Sequence, residues 1–318
     1  LAAAAPDRAS AEEAESYLMR VMTASLNDAF LGHLFTGEGL TRALPTKGGP
    51  NPDYLMCHAG IDATRQYRLA GCLNDSERAG VGLYSFTASG AALLEGYAAF
   101  DRTNVAADGC FSLDLAANAT GSGTLAITPS CRVLIVRTLH RNRGQPCTLT
   151  LTGGASPRGL APVMGNSERA LAQAGQATLR GVRQFLEWSR QVGASPNCFT
   201  LPPPSLAAEV QGDPETAYSL GYYQLGEGEW LEVSIPAGLR GYWSLHAYNH
   251  WCESLPGAGV HDLNAAADAD GRIRVRIGPT LAPNLLNRVD TQGRRRGVLI
   301  FRSIGTDQTQ IPHAELRG

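Results

Sequence analysis

The chain lacks most of the signatures that would assign it a chemistry directly. It has no Gly-x-Ser-x-Gly, no phosphate-binding glycine loop and no dinucleotide fingerprint, which removes the best-marked serine hydrolases, nucleotide hydrolases and dehydrogenases. No His-x-His or His-Glu-x-x-His occurs, and no Cys-x-x-Cys. Cysteine is scarce: Cys57, Cys72, Cys110, Cys131, Cys147, Cys198 and Cys252 are odd in number and irregularly spaced, so neither a disulfide framework nor a zinc ribbon is expected. Most should be small buried hydrophobes, with one or two disulfides left open for an exported chain. Charge is low, 18% of residues with a net −2, so nothing favours nucleic acid or an anionic membrane. No apolar run approaches the ~20 residues of a membrane helix. The first residues, Leu-Ala-Ala-Ala-Ala-Pro, lack a methionine and leave both a trimmed chain and a mature end after signal cleavage open.

What is present is turn chemistry and short strands. With 36 glycines and 18 prolines among 318 residues, the chain is expected to be mainly β with helical additions. Residues 1–50 read as an N-terminal helical segment: Ser10 and Glu13 have capping-box spacing, and Tyr17, Leu18, Val21, Met22, Leu26, Phe30, Leu31 and Leu34 recur at helical spacing over 11–34. Residues 51–152 read as a first β-sandwich half, with 91–104 left as a short helix or an extended arm. Residues 153–217 form a linker carrying an amphipathic helix at 167–192, its apolar face built from Ala170, Leu171, Ala174, Thr178, Leu179, Val182, Phe185, Leu186 and Val192. Residues 218–318 read as a second half, its strands running to about Ile304, and Arg294–Arg296 as a solvated turn.

The two β regions repeat. Tyr67-Arg-Leu69 matches Tyr223-Gln-Leu225, and Leu83–Ala88 matches Tyr242–Ala247. Asp108-Gly-Cys-Phe-Ser-Leu113 matches Asp270-Gly-Arg-Ile-Arg-Val275, and Val133-Leu-Ile-Val-Arg137 matches Val298-Leu-Ile-Phe-Arg302. The order is preserved, which implies two related jelly-roll-like halves. Arg137 and Arg302 close matching strands, where each is expected to clamp a loop carbonyl or carboxylate.

The stretch Arg240–Ser254 is where the halves differ: Thr87 corresponds to His246, and the run Tyr248–Glu253 has no counterpart. Read as a strand, it places Tyr242, Ser244, His246, Tyr248 and His250 on one face and Trp243, Leu245, Ala247, Asn249 and Trp251 on the other. The first face is a row of hydroxyls and imidazoles and is the expected site. His246 or His250 would act as acid or base, oriented by Glu253, Asp262 or Asp290, with Tyr248 donating to a developing oxyanion. Tyr223, Tyr242, Ser244, Asn249 and Trp251 are candidates to hold substrate.

Asn51-Pro-Asp-Tyr54, Tyr67-Arg-Leu-Ala-Gly71, the Tyr-Trp-Ser strand, Asp270-Gly, Pro283-Asn284, Asp290-Thr-Gln-Gly293 and Gly297-Val-Leu-Ile-Phe-Arg302 together resemble domain-of-unknown-function family twelve-fourteen. The similarity covers most of residues 50–304. It departs from the family pattern where Leu285 replaces a tryptophan and an insertion displaces Asp290-Thr291. The resemblance implies β-sandwich or jelly-roll domains with helical additions, and brings no reaction with it.

The functional expectation is a small-molecule enzyme using metal-free acid–base chemistry, a lyase, isomerase or hydrolase without a cofactor. Two alternatives stand beside it: a binding module for carbohydrate or apolar ligands that uses Tyr222, Tyr223, Trp230, Tyr242, Trp243 and Trp251 as a platform, and a metal-dependent enzyme on His246, His250 and His261. Partners reduce to a small-molecule substrate and, left open, a second copy of the chain.

Overall fold

The computed structural model describes residues 1–30, 40, 48–87, 92–142, 144–153, 167–202, 213–236, 239–305 and 311–318. Among these residues two long helices accompany four β-sheets. Helix α1 is Arg8–Phe30 and helix α2 is Ser167–Gly193. The N-terminal cap is Asp7, whose Oδ1 accepts the Ser10 amide at 2.8 Å, rather than Ser10. A carboxylate there satisfies an orphan amide and faces the positive end of the helix dipole; Ser10 is instead buried inside the first turn. On α2, Ala170, Ala174, Thr178, Val182, Phe185 and Ser189 form the buried stripe. Leu171 and Leu179, expected on that face, are 56% and 59% exposed, because one helix turned against α1 needs only a narrow seam.

The first half contains β1 (Tyr54–Gly60), β2 (Tyr67–Cys72), β3 (Arg78–Phe86), β4 (Ala92–Asp101), β5 (Cys110–Ala116), β6 (Thr124–Ala126), β7 (Val133–Leu139) and β8 (Thr148–Gly153). They form two sheets, β1-β7-β3-β4 and β6-β5-β2-β8. The segment left between helix and arm is therefore a strand, β4, paired along its length with β3. The second half contains β9 (Phe199–Thr200), β10 (Thr216–Gln224), β11 (Trp230–Ser234), β12 (Trp243–Tyr248), β13 (Ser254–His261), β14 (Arg274–Gly278), β15 (Arg288–Asp290), β16 (Arg296–Ile304) and β17 (His313–Arg317). Its sheets run β13-β12-β16-β10-β9 and β15-β14-β11-β17. With β1 set on β10 and each later strand on its counterpart, the eight strands of one half fall in the order of the other, with β9 an addition. The residues beyond Ile304 supply β17, which pairs with β11 and leaves His313 exposed.

Each sandwich encloses its own apolar core. Leu69, Val81, Leu83, Leu113, Leu115, Leu134 and Val136 fill the first, and Leu231, Val233, Trp243, Leu245, Val275, Ile277 and Phe301 the second. A fully buried side chain of this size stabilises by about 1.5–3 kcal/mol. The Asp-Gly match is exact in geometry: Gly109 and Gly271 have φ +81° and +80°, and Asp108 and Asp270 cap the following amides, Cys110 and Arg272. Only glycine takes that φ without cost in the tight turn that opens β5 and β14.

Strand pairing corrects two other matches. β3 and β12 both pair with the strands ending in Arg137 and Arg302, and the registers set Tyr84 with Tyr248, Gly82 with His246 and Gly80 with Ser244. Arg137 Nη1 donates to Tyr84 Oη and Arg302 Nη1 to Tyr248 Oη, each at 2.9 Å, so the side chains repeat as well. Tyr67 corresponds to Leu231 through the β5–β2 and β14–β11 ladders, not to Tyr223. Tyr223 lies in the second core and donates its hydroxyl to Tyr248 O at 3.1 Å.

Cysteine follows the expectation for buried small residues at Cys57, Cys131, Cys147 and Cys252, while Cys72 and Cys110 join directly opposed positions of β2 and β5 in a disulfide. Of the basic run, Arg294 pairs with Glu13 and Arg296 Nη1 donates to Pro6 O at 2.9 Å. These contacts tie the turn to α1 instead of leaving it solvated. Of the linker expected at 153–217, residues 154–166 and 203–212 lie outside the described residues.

Candidate functional site

The central strands β3, β7, β12 and β16 are buried on both faces, since one face of each turns away from its sandwich core into a seam between the halves. All six residues of β12 are buried. A segment that precedes each half crosses to the other. Asn51 and Asp53, before β1, reach Tyr242 of the second half; Asp213 and Glu215, before β10, reach Arg78 of the first.

These reciprocal contacts are chemically unequal. In the first half Arg78 holds both carboxylates, and Tyr97 Oη donates to Asp213 at 2.7 Å. In the second half the equivalent residue is Tyr242. Its hydroxyl donates to Asp53 Oδ2 at 2.8 Å, accepts Asn51 Nδ2 at 2.8 Å and lies 2.7 Å from Ser244 Oγ. His246 stands beside them, with Nε2 3.6 Å from Asp53 Oδ1, within ion-pair range but longer than a hydrogen bond. Its Nδ1 is buried without a partner. The imidazole lies over Gly259, the residue opposite it on β13; a Cβ there would come 2.6 Å from Nε2. In the first half the arrangement is reversed, with glycine at 82 on β3 and the large ring, Tyr97, on β4.

Electrostatics follow from this burial. His246 is 5% exposed, and loss of hydration lowers its pKa, with Arg302 and His261 adding to the effect and Asp53 opposing it. Burial works to raise the Asp53 carboxyl, but His246, the Tyr242 hydroxyl and His261 together hold it below its ordinary value. Burial and then Asp53 push the Tyr242 hydroxyl well above its usual range. At neutral pH the set is a carboxylate beside a neutral imidazole and two hydroxyls. The rim is Arg141, which pairs with Glu77 of its own half and Asp262 of the other, its guanidinium 5.0 Å over the Tyr242 ring.

The rest of the expected row does not stay together. β12 ends at Tyr248, and residues 249–252 turn, with Cys252 at φ +60°. The strand alternation assumed for 242–251 therefore stops at Tyr248, and Asn249, His250 and Trp251 go elsewhere. Asn249 caps the turn through Glu253, which in turn holds Arg20 of α1 with two hydrogen bonds of 2.5 and 2.7 Å. Trp251 stacks on Tyr17 of α1 with centroids 5.2 Å apart and donates to Ser10 O. His250 accepts or donates at Nδ1 to Tyr222 Oη at 2.8 Å, and burial pushes its pKa down to about 4. Tyr248 Oη donates to Pro50 O and accepts from Arg302; burial raises it to about 12. Of the proposed orienting carboxylates, Glu253 and Asp290 are held by arginines away from His246, and Asp262 by Arg141 and the Trp243 amide. Asp53 takes that place. Its only sequence signal is the Asn51-Pro-Asp-Tyr54 motif, far from His246 along the chain.

Among the described residues no three His, Cys, Asp or Glu side chains gather as metal ligands would, so a metal-centred reading has no donor set to build on there. No described helix is long and apolar enough to cross a membrane. A cleft of about 440 Å³ lies elsewhere, between α1 and the 292–294 turn, and its charged walls are already paired, Arg294 with Glu13 and Arg20 with Glu253.

No protein-family model matches the chain, and no curated protein matches it. Among solved structures it is similar to an uncharacterized protein from Burkholderia cenocepacia, with a TM-score of 0.84 and 22% identity over 98% of this chain and 90% of that one. It is also similar to the VPA0106 protein from Vibrio parahaemolyticus, with a TM-score of 0.54 and 12% identity over 94% of this chain and 98% of that one. Likeness at these identities shows the fold, consistent with β-sandwich halves and helical additions, and carries no activity.

Proposed function

We propose that the chain is a small-molecule enzyme that works by metal-free general acid–base chemistry at His246, in the lyase, isomerase or hydrolase class. One observation carries the reading: a buried imidazole beside a buried carboxylate, with its second nitrogen unpartnered. Buried polar atoms in folded proteins are rarely left without a partner, and each exception calls for a reason, of which a catalytic role is one. Asp53 favours the proton on Nε2, which leaves Nδ1 as the acceptor; the lowered pKa keeps the imidazole neutral and able to take a proton. Tyr242 spends its proton on Asp53, so Ser244 is the donor of the neighbouring pair, and its hydroxyl would turn to charge that develops on substrate oxygen.

Divergence between the halves supports the same assignment. Gly80, Gly82 and Arg78 in one half correspond to Ser244, His246 and Tyr242 in the other, so the scaffold does not require these side chains. The binding-module reading draws less support: Tyr222, Tyr223, Tyr242, Trp243 and Trp251 are all buried in packing. Membership of domain-of-unknown-function family twelve-fourteen is part of this proposal and rests on the motifs quoted above.

The test is a hydrolase, lyase and isomerase substrate screen run in parallel on wild type, His246→Gln and Asp53→Asn, with circular dichroism to check folding. Turnover should appear in wild type, fall at least 10²-fold in His246→Gln, and shift its acid limb in Asp53→Asn. Turnover that survives in folded His246→Gln would sink the assignment.

A further inference from the structure

The buried arginines of the seam are held in different ways. Arg78 pairs with Asp213 and Glu215, and Arg141 with Glu77 and Asp262. Arg302, 3% exposed, has hydrogen bonds only to neutral acceptors, Tyr248 Oη at 2.9 Å and Gly49 O at 2.7 Å, and lies 5.8 Å from the Tyr218 and Tyr248 ring centres. Among the described residues no carboxylate is within ion-pair distance of it. A guanidinium taken out of water is costly without an anion, and an anion bound there would find a ready charge partner.

Its position relates it to His246. In the β12–β16 ladder Ser244 is directly opposite Arg302, and His246 is the next residue on the same face of β12. Directly paired strand residues lie about 4.5–5.5 Å apart at Cα, and diagonal ones about 7–8 Å. The two side chains therefore share one face of adjacent strands, where a small acid would set its carboxylate at a fork of N–H donors and its adjacent carbon at an imidazole.

We propose that Arg302 is the anchor for the substrate's carboxylate, and that the substrate class is a small carboxylic acid presenting its α-carbon to His246 Nδ1. The inference rests on the acid–base reading of His246 and goes beyond it by naming what is bound. Arg302 supplies the charge and bidentate geometry, Ser244 a hydroxyl between anchor and base, and His246 the reacting group.

Affinity alkylation tests this on the unmodified protein. Bromoacetate and bromoacetamide have the same electrophilic carbon and differ in charge. Attack by His246 Nδ1 forms an N–C bond and releases bromide, and peptide mapping by mass spectrometry separates it from cysteine products. With rates normalised to free imidazole, bromoacetate should modify His246 at least tenfold faster than bromoacetamide. The rate should saturate, and acetate but not acetamide should protect. Arg302→Lys, which keeps the charge and loses the fork, should reduce the preference. Equal rates for the two reagents, or no protection by acetate, overturn the carboxylate anchor while the His246 reading stands on its turnover test. If neither reagent reaches His246 while exposed Cys198 reacts, the anchor and the acid–base reading both fail.

Discussion

Gly259→Ala probes the site without altering any group proposed to act in it. The imidazole of His246 occupies the space above Gly259, and a Cβ added there would sit 2.6 Å from Nε2, closer than real Cβ contacts allow. The strand backbone at 259 does not need glycine, so the added methyl should otherwise be neutral or mildly favourable. His246 cannot retreat freely, because it is buried in the seam beside Asp53. Overpacking of this kind costs about 1–3 kcal/mol. The cost should belong to the pair and not to the position. In the His246→Ala background the methyl meets open space, so Gly259→Ala should there cost close to nothing, with a coupling of about 1–3 kcal/mol across the double-mutant cycle. Equilibrium urea unfolding of the four proteins measures it. Imidazole NMR of Gly259→Ala should show the His246 resonance displaced and its titration moved. A stability cost equal in both backgrounds would refute the packing argument, as would none in either.

Three other outcomes follow from named contacts. His250 has a folded pKa of about 4 against about 6.5 unfolded; its contribution is therefore complete above pH 6.5 and lost as pH falls toward 4, on the order of 3 kcal/mol in all, and urea unfolding between pH 7 and 4 should show that limb flattened in His250→Phe. Asp213→Ala leaves buried Arg78 with only the half-exposed Glu215 and should cost about 3 kcal/mol or more by denaturant melt, whereas Glu215→Ala should cost much less. Cys72→Ser with Cys110→Ser opens a closure of sequence separation 38 and should cost up to about 4 kcal/mol, read as a lower urea midpoint under oxidising conditions and no difference from wild type once both are reduced.

The fold was legible in the chain because its strands are marked by local chemistry. Asp108-Gly109 and Asp270-Gly271 each announce a turn that only a positive φ permits, and Val133–Arg137 and Val298–Arg302 read as buried strands ending in a clamp. β4 was not, since its Ala-Leu-Leu-Glu-Gly-Tyr-Ala-Ala-Phe run alternates poorly and its residues are mostly half-buried. The wrong partners for Leu83–Ala88 and Tyr67–Leu69 came from a different cause. Aromatic and hydroxyl residues recur along these strands, and a short resemblance can slide; hydrogen-bonded register cannot, because one step of slip turns every side chain to the opposite face.

The same distinction explains what could be known of the site. His246 stood out as an imidazole where the sequence match put Thr87, and the ladder places it instead on Gly82, so the other half has no side chain at that position. Its partner was hidden because it enters from the opposite half: Asp53 precedes β1, and only the crossing of that segment over the seam brings it to Tyr242 and His246. Glu253 was the nearer carboxylate in sequence, but Cys252 takes a left-handed turn and directs Glu253 to Arg20 of α1. A duplicated fold explains why the crossing occurs. Each half offers a leading segment to the other, and the scaffold needs both contacts for the seam to close. It does not need them to be alike. The Arg78 clamp satisfies its cation with two carboxylates. Beside the Tyr242 clamp a nitrogen of His246 is left without a partner where the other half has glycine, and Arg302 faces the same side of the adjacent strand. Stability alone would favour the first solution twice, so the second half's departure from it is the argument that chemistry, and not packing, accounts for those residues.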